Sequence, residues 1–120
     1  MFYSIISRDK GTLISSKTRI ASGFWPRLKG LMFDKAMDEK EALIFHNAQA
    51  IHTSFMRFAI DIVFLDKSNR IIKIYEAVKP WKMVFCPHSA LTIELPAYRA
   101  KRRSLGIGDT LQIKVSDSLK

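Results

Sequence analysis

Cysteine is almost missing from this sequence. Cys86 is the only one in 120 residues, so no disulfide can form within the chain. The fold must rest on a packed core, for which a 48% hydrophobic composition is sufficient. A disulfide-free chain also fits a reducing compartment. Glycine is sparse, and the five present never assemble into a phosphate-cradling loop of the Walker or dinucleotide type. No apolar run approaches the ~18 residues that cross a bilayer. The opening MFYSIISRDKGTLI has no basic stretch ahead of its apolar residues, and Arg8, Asp9 and Lys10 interrupt it early, which excludes a signal-peptide reading. Acidic residues are few, 11 against 20 basic, for a net charge of +9. The excess is spread along the chain, +4 over residues 1–60 and +5 over 61–120, with no basic tail. A positive surface speeds encounters with anions without naming one. There is no repeat, low-complexity tract or linker, so residues 1–120 read as one cytoplasmic domain.

What is present is mostly strand. FYSII and TLISS flank the turn SRDKG and predict an opening hairpin. Ser22 can cap a helix that tolerates Pro26 in its first turn. Phe24, Leu28, Leu31 and Met32 then recur at helical spacing, ending near Phe33. DKAMDEKE is a charged loop and ALIF a short buried strand. In AIDIVFLD, Ile60, Ile62 and Phe64 alternate with Asp61, Val63 and Leu65. Both faces are largely apolar, which predicts a central strand. RIIKIYEA returns after the turn DKSN, and ALTIEL is stopped by Pro96. AYRAKRRSL, residues 97–105, predicts a basic helix closed by Gly106. TLQIKV is the last strand. The expected class is α+β, predominantly antiparallel β: a small barrel-like curled sheet with two short helices.

Few residues are arranged for known chemistry. Cys86 and His88 are the only close pair of metal-ligand types. His46 and His52 are six apart, or ~20 Å along a strand at ~3.3 Å per residue. No structural metal and no cofactor is expected. Cys86 lacks the local signature of a nucleophile. Asp61 could pair with Glu94 or Asp109 for acid–base work, although each is as easily a turn or strand-edge residue. Among the aromatics Phe55, Phe58, Phe64 and Trp81, only Trp81, after Pro80 and between Lys79 and Lys82, reads as loop-borne. Arg99, Lys101, Arg102 and Arg103 form the densest basic cluster. It offers weak, non-specific attraction to polyanions, or a nucleic-acid face.

The densest polar stretch is HTSFMRFAID, residues 52–61. In an extended chain His52, Ser54 and Met56 share one face, and Thr53, Phe55 and Arg57 the other. Arg57 can clamp an anion or brace a neighbour. Asp61, set between Ile60 and Ile62, needs a partner. Arg57 is the first candidate, and Thr53 or a backbone amide could also serve.

These residues carry a resemblance. IHTSFMRFAIDIVFLD resembles the hallmark segment of the domain-of-unknown-function 192 family, with RLKGLMF, VKPWK, ALTIELPA and LGIGDTL resembling its other segments. The resemblance covers most of the chain. It implies a compact β-rich domain and no established activity. The family pattern falls on His52, Thr53, Phe55, Met56, Arg57, Ile60 and Asp61, then on Lys79, Pro80 and Trp81. Two positions depart from it: Ala59 stands where proline is expected, and Tyr98 where glycine is expected. The functional expectation is a non-enzymatic binding or accessory module. Its polar, anion-compatible pocket would be formed by His52, Thr53, Met56, Arg57, Asp61, Lys79 and Trp81, and would take a small anionic ligand or a protein partner. The alternatives are a hydrolase-type enzyme using His52 and Asp61, and a nucleic-acid module using the basic helix.

Overall fold

A computed structural model describes residues 2–21 and 36–116. The strands are β1 (Tyr3–Ser7), β2 (Leu13–Ile20), β3 (Glu41–His46), β4 (Ala50–His52), β5 (Ile60–Leu65), β6 (Ile71–Val78), β7 (Met83–Phe85), β8 (Leu91–Pro96) and β9 (Leu111–Val115). Seven of them form one sheet in the order β6-β5-β8-β3-β2-β1-β9, and β4 pairs with β7 in a second, two-stranded sheet. Every pairing is antiparallel except β2 with β3. The sheet is thus predominantly antiparallel, as expected, and the segment joining its one parallel pair includes the undescribed residues 22–35.

The large sheet curls until its two edge strands almost meet. Arg70 and Thr110 form an isolated bridge. The amide of Ile71 donates to Asp109 O at 2.8 Å, and that of Leu111 to Asn69 O at 2.9 Å. Inside the curl, all seven strands contribute to one apolar cluster that includes Ile5, Ile14, Ile44, Val63, Ile93 and Leu111. The outer face carries a second cluster, with Leu43, Phe45, Ile60, Ile62 and Phe64 covered by Ile51 of β4 and by Met56. The alternation in β5 therefore has a direct meaning. Asp61, Val63 and Leu65 point into the curl, Ile60, Ile62 and Phe64 point outward, and all six are buried.

The expected first helix, from Ser22 to Phe33, lies outside the described residues. The second is shorter than expected. Helix α1 covers only Arg99–Arg102, and it closes at Ser104, not Gly106. Ser104 takes the left-handed conformation (φ 56°). Its amide donates to Lys101 O at 3.0 Å, and the Leu105 amide to Ala100 O at 2.9 Å. These paired bonds satisfy the terminal carbonyls of a helix, and Leu105 packs on the inner cluster. Among the described residues no helix is long and apolar enough to cross a membrane.

Candidate functional site

Thr53 is the hinge of the polar stretch. The chain is extended only as far as His52 and then turns, so the alternation expected of His52 to Arg57 is broken. Thr53 is fully buried. Its amide donates to Lys82 O at 2.8 Å, and its carbonyl accepts from the Trp81 amide at 3.1 Å. Its hydroxyl donates to Lys79 O at 2.7 Å and accepts from the Lys82 amide at 2.9 Å. One small side chain thus pins the whole turn from Lys79 to Lys82.

The pinned turns present two aromatic rings. Phe55 and Trp81 both adopt left-handed backbone, at φ 64° and 65°. Bulky side chains avoid this region because Cβ crowds the carbonyl oxygen, at ~1–2 kcal/mol per residue. The rings meet edge to face, with centroids 4.6 Å apart and planes at 62°. They remain 48% and 64% exposed. The outer face of the small sheet extends the surface. His52 lies directly across from Met83, and Ala50 from Phe85. Met83 and Phe85 are 56% and 58% exposed, and Arg57, Lys79 and Lys82, two residues or fewer from the rings in sequence, are exposed as well. Residues 47–60 and 77–93 contain these three cations and no acidic residue.

Asp61 belongs to a different place. It is fully buried. Its Oδ1 accepts from the amides of Ala77 at 2.8 Å and Tyr98 at 2.9 Å, and its Oδ2 from the amide of Ala100 at 2.9 Å. The expected brace is therefore present, but its partners are three backbone amides and not Arg57, which is exposed. Ala77 and Tyr98 both have positive φ, 47° and 67°, which turns their N–H groups toward one oxygen.

The DUF192 family model, described as an uncharacterized ACR, matches residues 5–113. The chain belongs to the DUF192 family. A UPF0127 protein of Pyrococcus furiosus is 32% identical over 123 residues, covering 97% of this chain and 96% of its own. A UPF0127 protein of Pyrococcus horikoshii is 31% identical over 108 residues, covering 84% of this chain and 89% of its own. The solved structure of a Novosphingobium aromaticivorans protein of unknown function superposes with a TM-score of 0.79 at 17% identity, over 92% of this chain and 82% of that one. At that identity the likeness is one of fold.

The DUF192 motif residues thus divide in two. His52, Phe55, Arg57, Lys79 and Trp81 face solvent, whereas Thr53, Met56 and Asp61 are buried beneath or beyond them. They do not line one pocket. His52 and Asp61 lie on opposite sides of β5, because β4 covers the outer cluster and Asp61 points into the curl. A hydrolase pairing of the two has no geometry. The same holds for Asp61 with Glu94: Glu94 sits across from Ile62 and Leu43 on the outer face.

Glu94 itself is the residue that sequence reasoning undervalued. It is 4% exposed, its Oε1 has no hydrogen-bond partner among the described residues, and burial pushes its carboxyl up to about 8. It is therefore mostly neutral at pH 7. The sequence signal was available in ALTIEL, where an acid stands between Ile93 and Leu95 in a strand.

The basic cluster is dispersed. Arg99 is buried, with Nε donating to Ile14 O at 3.1 Å. Burial lowers its pKa, Arg103 and Arg102 add to that, and Glu39 opposes it. Arg102 pairs with Glu39 at 3.0 Å. Lys101 is exposed and Arg103 half-buried. His46, His52 and His88 are exposed, and Cys86 packs half-buried against the outer cluster. Among the described residues no three His, Cys, Asp or Glu side chains gather where they could hold a metal ion.

Proposed function

We propose that this chain is a non-catalytic binding module. Its working surface is the Phe55–Trp81 wedge ringed by His52, Arg57, Lys79 and Lys82, and its partner is anionic with an apolar part. The observation that carries this reading is the pair of bulky residues held in left-handed backbone with their rings in solvent. Such conformations persist only where surrounding structure enforces them, and they cluster at binding sites. Here Thr53 does the enforcing. A ring that served only packing would be turned inward. An exposed apolar patch rimmed by charge marks an interaction site.

The test separates stability from binding. In Trp81→Gly the strain is relieved and little packing is lost, so unfolding in urea is expected within about 1 kcal/mol of the parent, against ~3–5 kcal/mol for a core tryptophan. Binding of anilinonaphthalene sulfonate, an anionic aromatic probe, is expected to fall sharply in the same variant, and in Lys79→Glu with Lys82→Glu. A large loss of stability, or unchanged probe binding, would assign Trp81 to the scaffold.

A further inference from the structure

We infer that the partner of this wedge is the surface of an anionic lipid bilayer, with Trp81, Phe55, Met83 and Phe85 entering the headgroup boundary and Lys79, Lys82 and Arg57 meeting lipid phosphates. The inference rests on the binding-module reading and names its partner.

Three observations favour a bilayer over other anionic partners. The first is how charge and apolar surface are mixed. In KPWKMVF the lysines are interleaved with Trp81, Met83 and Phe85, all exposed. The centres of protein–protein interfaces are depleted in lysine, because its strongly hydrated ammonium is poorly accommodated there. At a bilayer the same interleaving is favourable, since lysine stems lie along apolar surface while their heads reach back to phosphate. Tryptophan is enriched at that boundary, where one side of the ring is apolar and the other wet.

The second is ring geometry. Single-stranded nucleic acid is held by aromatic faces open for stacking. Phe55 and Trp81 instead meet edge to face at 62°, so the two rings do not form one shared flat platform.

The third is the field. No acidic residue interrupts residues 47–60 or 77–93. The acids that border them in sequence or pair with their strands are Asp61 and Glu94, both buried, and Glu76, exposed on β6. The net charge of +9 adds long-range attraction. An anionic leaflet rewards each nearby cation by roughly fivefold in partition.

Co-sedimentation with sucrose-loaded vesicles tests this. Full-length protein is expected to pellet with phosphatidylcholine vesicles containing phosphatidylglycerol, and not with phosphatidylcholine alone. Lys79→Glu with Lys82→Glu is expected to weaken partition by more than tenfold. Trp81→Ala should weaken it at least as much, and Trp81→Phe should restore most of it, with circular dichroism unchanged in all three. Brominated lipid should quench the fluorescence of the parent more than that of Trp81→Phe. Vesicle binding indifferent to Trp81→Ala would be electrostatic adhesion of a basic protein and would overturn the inference. So would tighter, Trp81-dependent binding to a single-stranded oligonucleotide. If vesicles fail to bind while anilinonaphthalene sulfonate still binds in a Trp81-dependent way, the bilayer is excluded and the binding-module reading stands with a protein partner.

Discussion

Two carboxylates on neighbouring strands, Asp61 on β5 and Glu94 on β8, are equally hidden from water and sit in opposite situations. Asp61 accepts three backbone amides. Glu94 has an oxygen with no partner among the described residues and a carboxyl raised to about 8. They differ by which face of the sheet they occupy. On the inner face, the end of β6 and the turn before α1 bring left-handed residues whose N–H groups converge on one point. On the outer face, the strand partners of Glu94 are Leu43 and Ile62, which have only side-chain carbon to offer. Burial alone therefore does not decide how a carboxylate is held; the supply of donors does. Asp61 ties three distant segments together, whereas Glu94 stays protonated.

The largest effect that would break this contrast is expected at Asp61. In Asp61→Ala three amides, that of Ala100 buried and those of Ala77 and Tyr98 part-buried, lose their acceptor, and stability should drop by ~3–5 kcal/mol in urea melts. Asp61→Asn, which keeps one acceptor oxygen, should fall between that variant and the parent. If Asp61→Ala melted like the parent, water would be supplying the acceptor and the site would be open.

Glu94 is expected to act through pH. Below about 4.5 both folded and unfolded chains hold the proton, and stability is at its full value. Between about 4.5 and about 8 the folded chain keeps the proton and the unfolded chain loses it. The unfolded state then binds fewer protons, so stability falls as pH rises, by up to about 1.4 kcal/mol per pH unit and a few kcal/mol in all. Above about 8 the contribution is flat. Glu94→Gln should abolish this slope and be the more stable protein at pH 9. Parallel pH profiles for Glu94→Gln and parent would place an unseen cation beside Glu94.

Much of this arrangement was legible in the order of residues, and the rest was not for identifiable reasons. The period of two in AIDIVFLD assigned both faces of β5 correctly, because each face is read from residues two apart. The hairpin of β1 and β2 was equally local. The small sheet of β4 and β7 escaped notice because each strand has three residues, too few for periodicity, and left-handed turns at Phe55 and Trp81 interrupt the chain. Asp61 was recognised as needing a partner, but proximity in sequence pointed to Arg57. Its true donors lie 16, 37 and 39 residues away, and only the tertiary fold brings them near. The basic cluster misled for the converse reason: four charges close in sequence were divided among core, ion pair and solvent by a helix of four residues.

Tyr98 offers the smallest and sharpest test of the donor arrangement. It stands where the family pattern expects glycine, and its backbone is left-handed, at φ 67° and ψ 4°. That conformation aims its amide at Asp61 Oδ1. Glycine adopts it without the clash that Cβ imposes. Tyr98 is 54% exposed, so its ring contributes little packing. Tyr98→Gly should therefore raise stability by roughly 0.5–1 kcal/mol: the ~1–2 kcal/mol of left-handed strain, less the ~0.5–1 kcal/mol of added freedom in the unfolded chain. Tyr98→Ala keeps Cβ and the strain, and should give no gain. The pair isolates the backbone from the ring. If alanine stabilised as much as glycine, the exposed phenol would be the cause, and the left-handed turn would be holding its amide on Asp61 at no measurable strain.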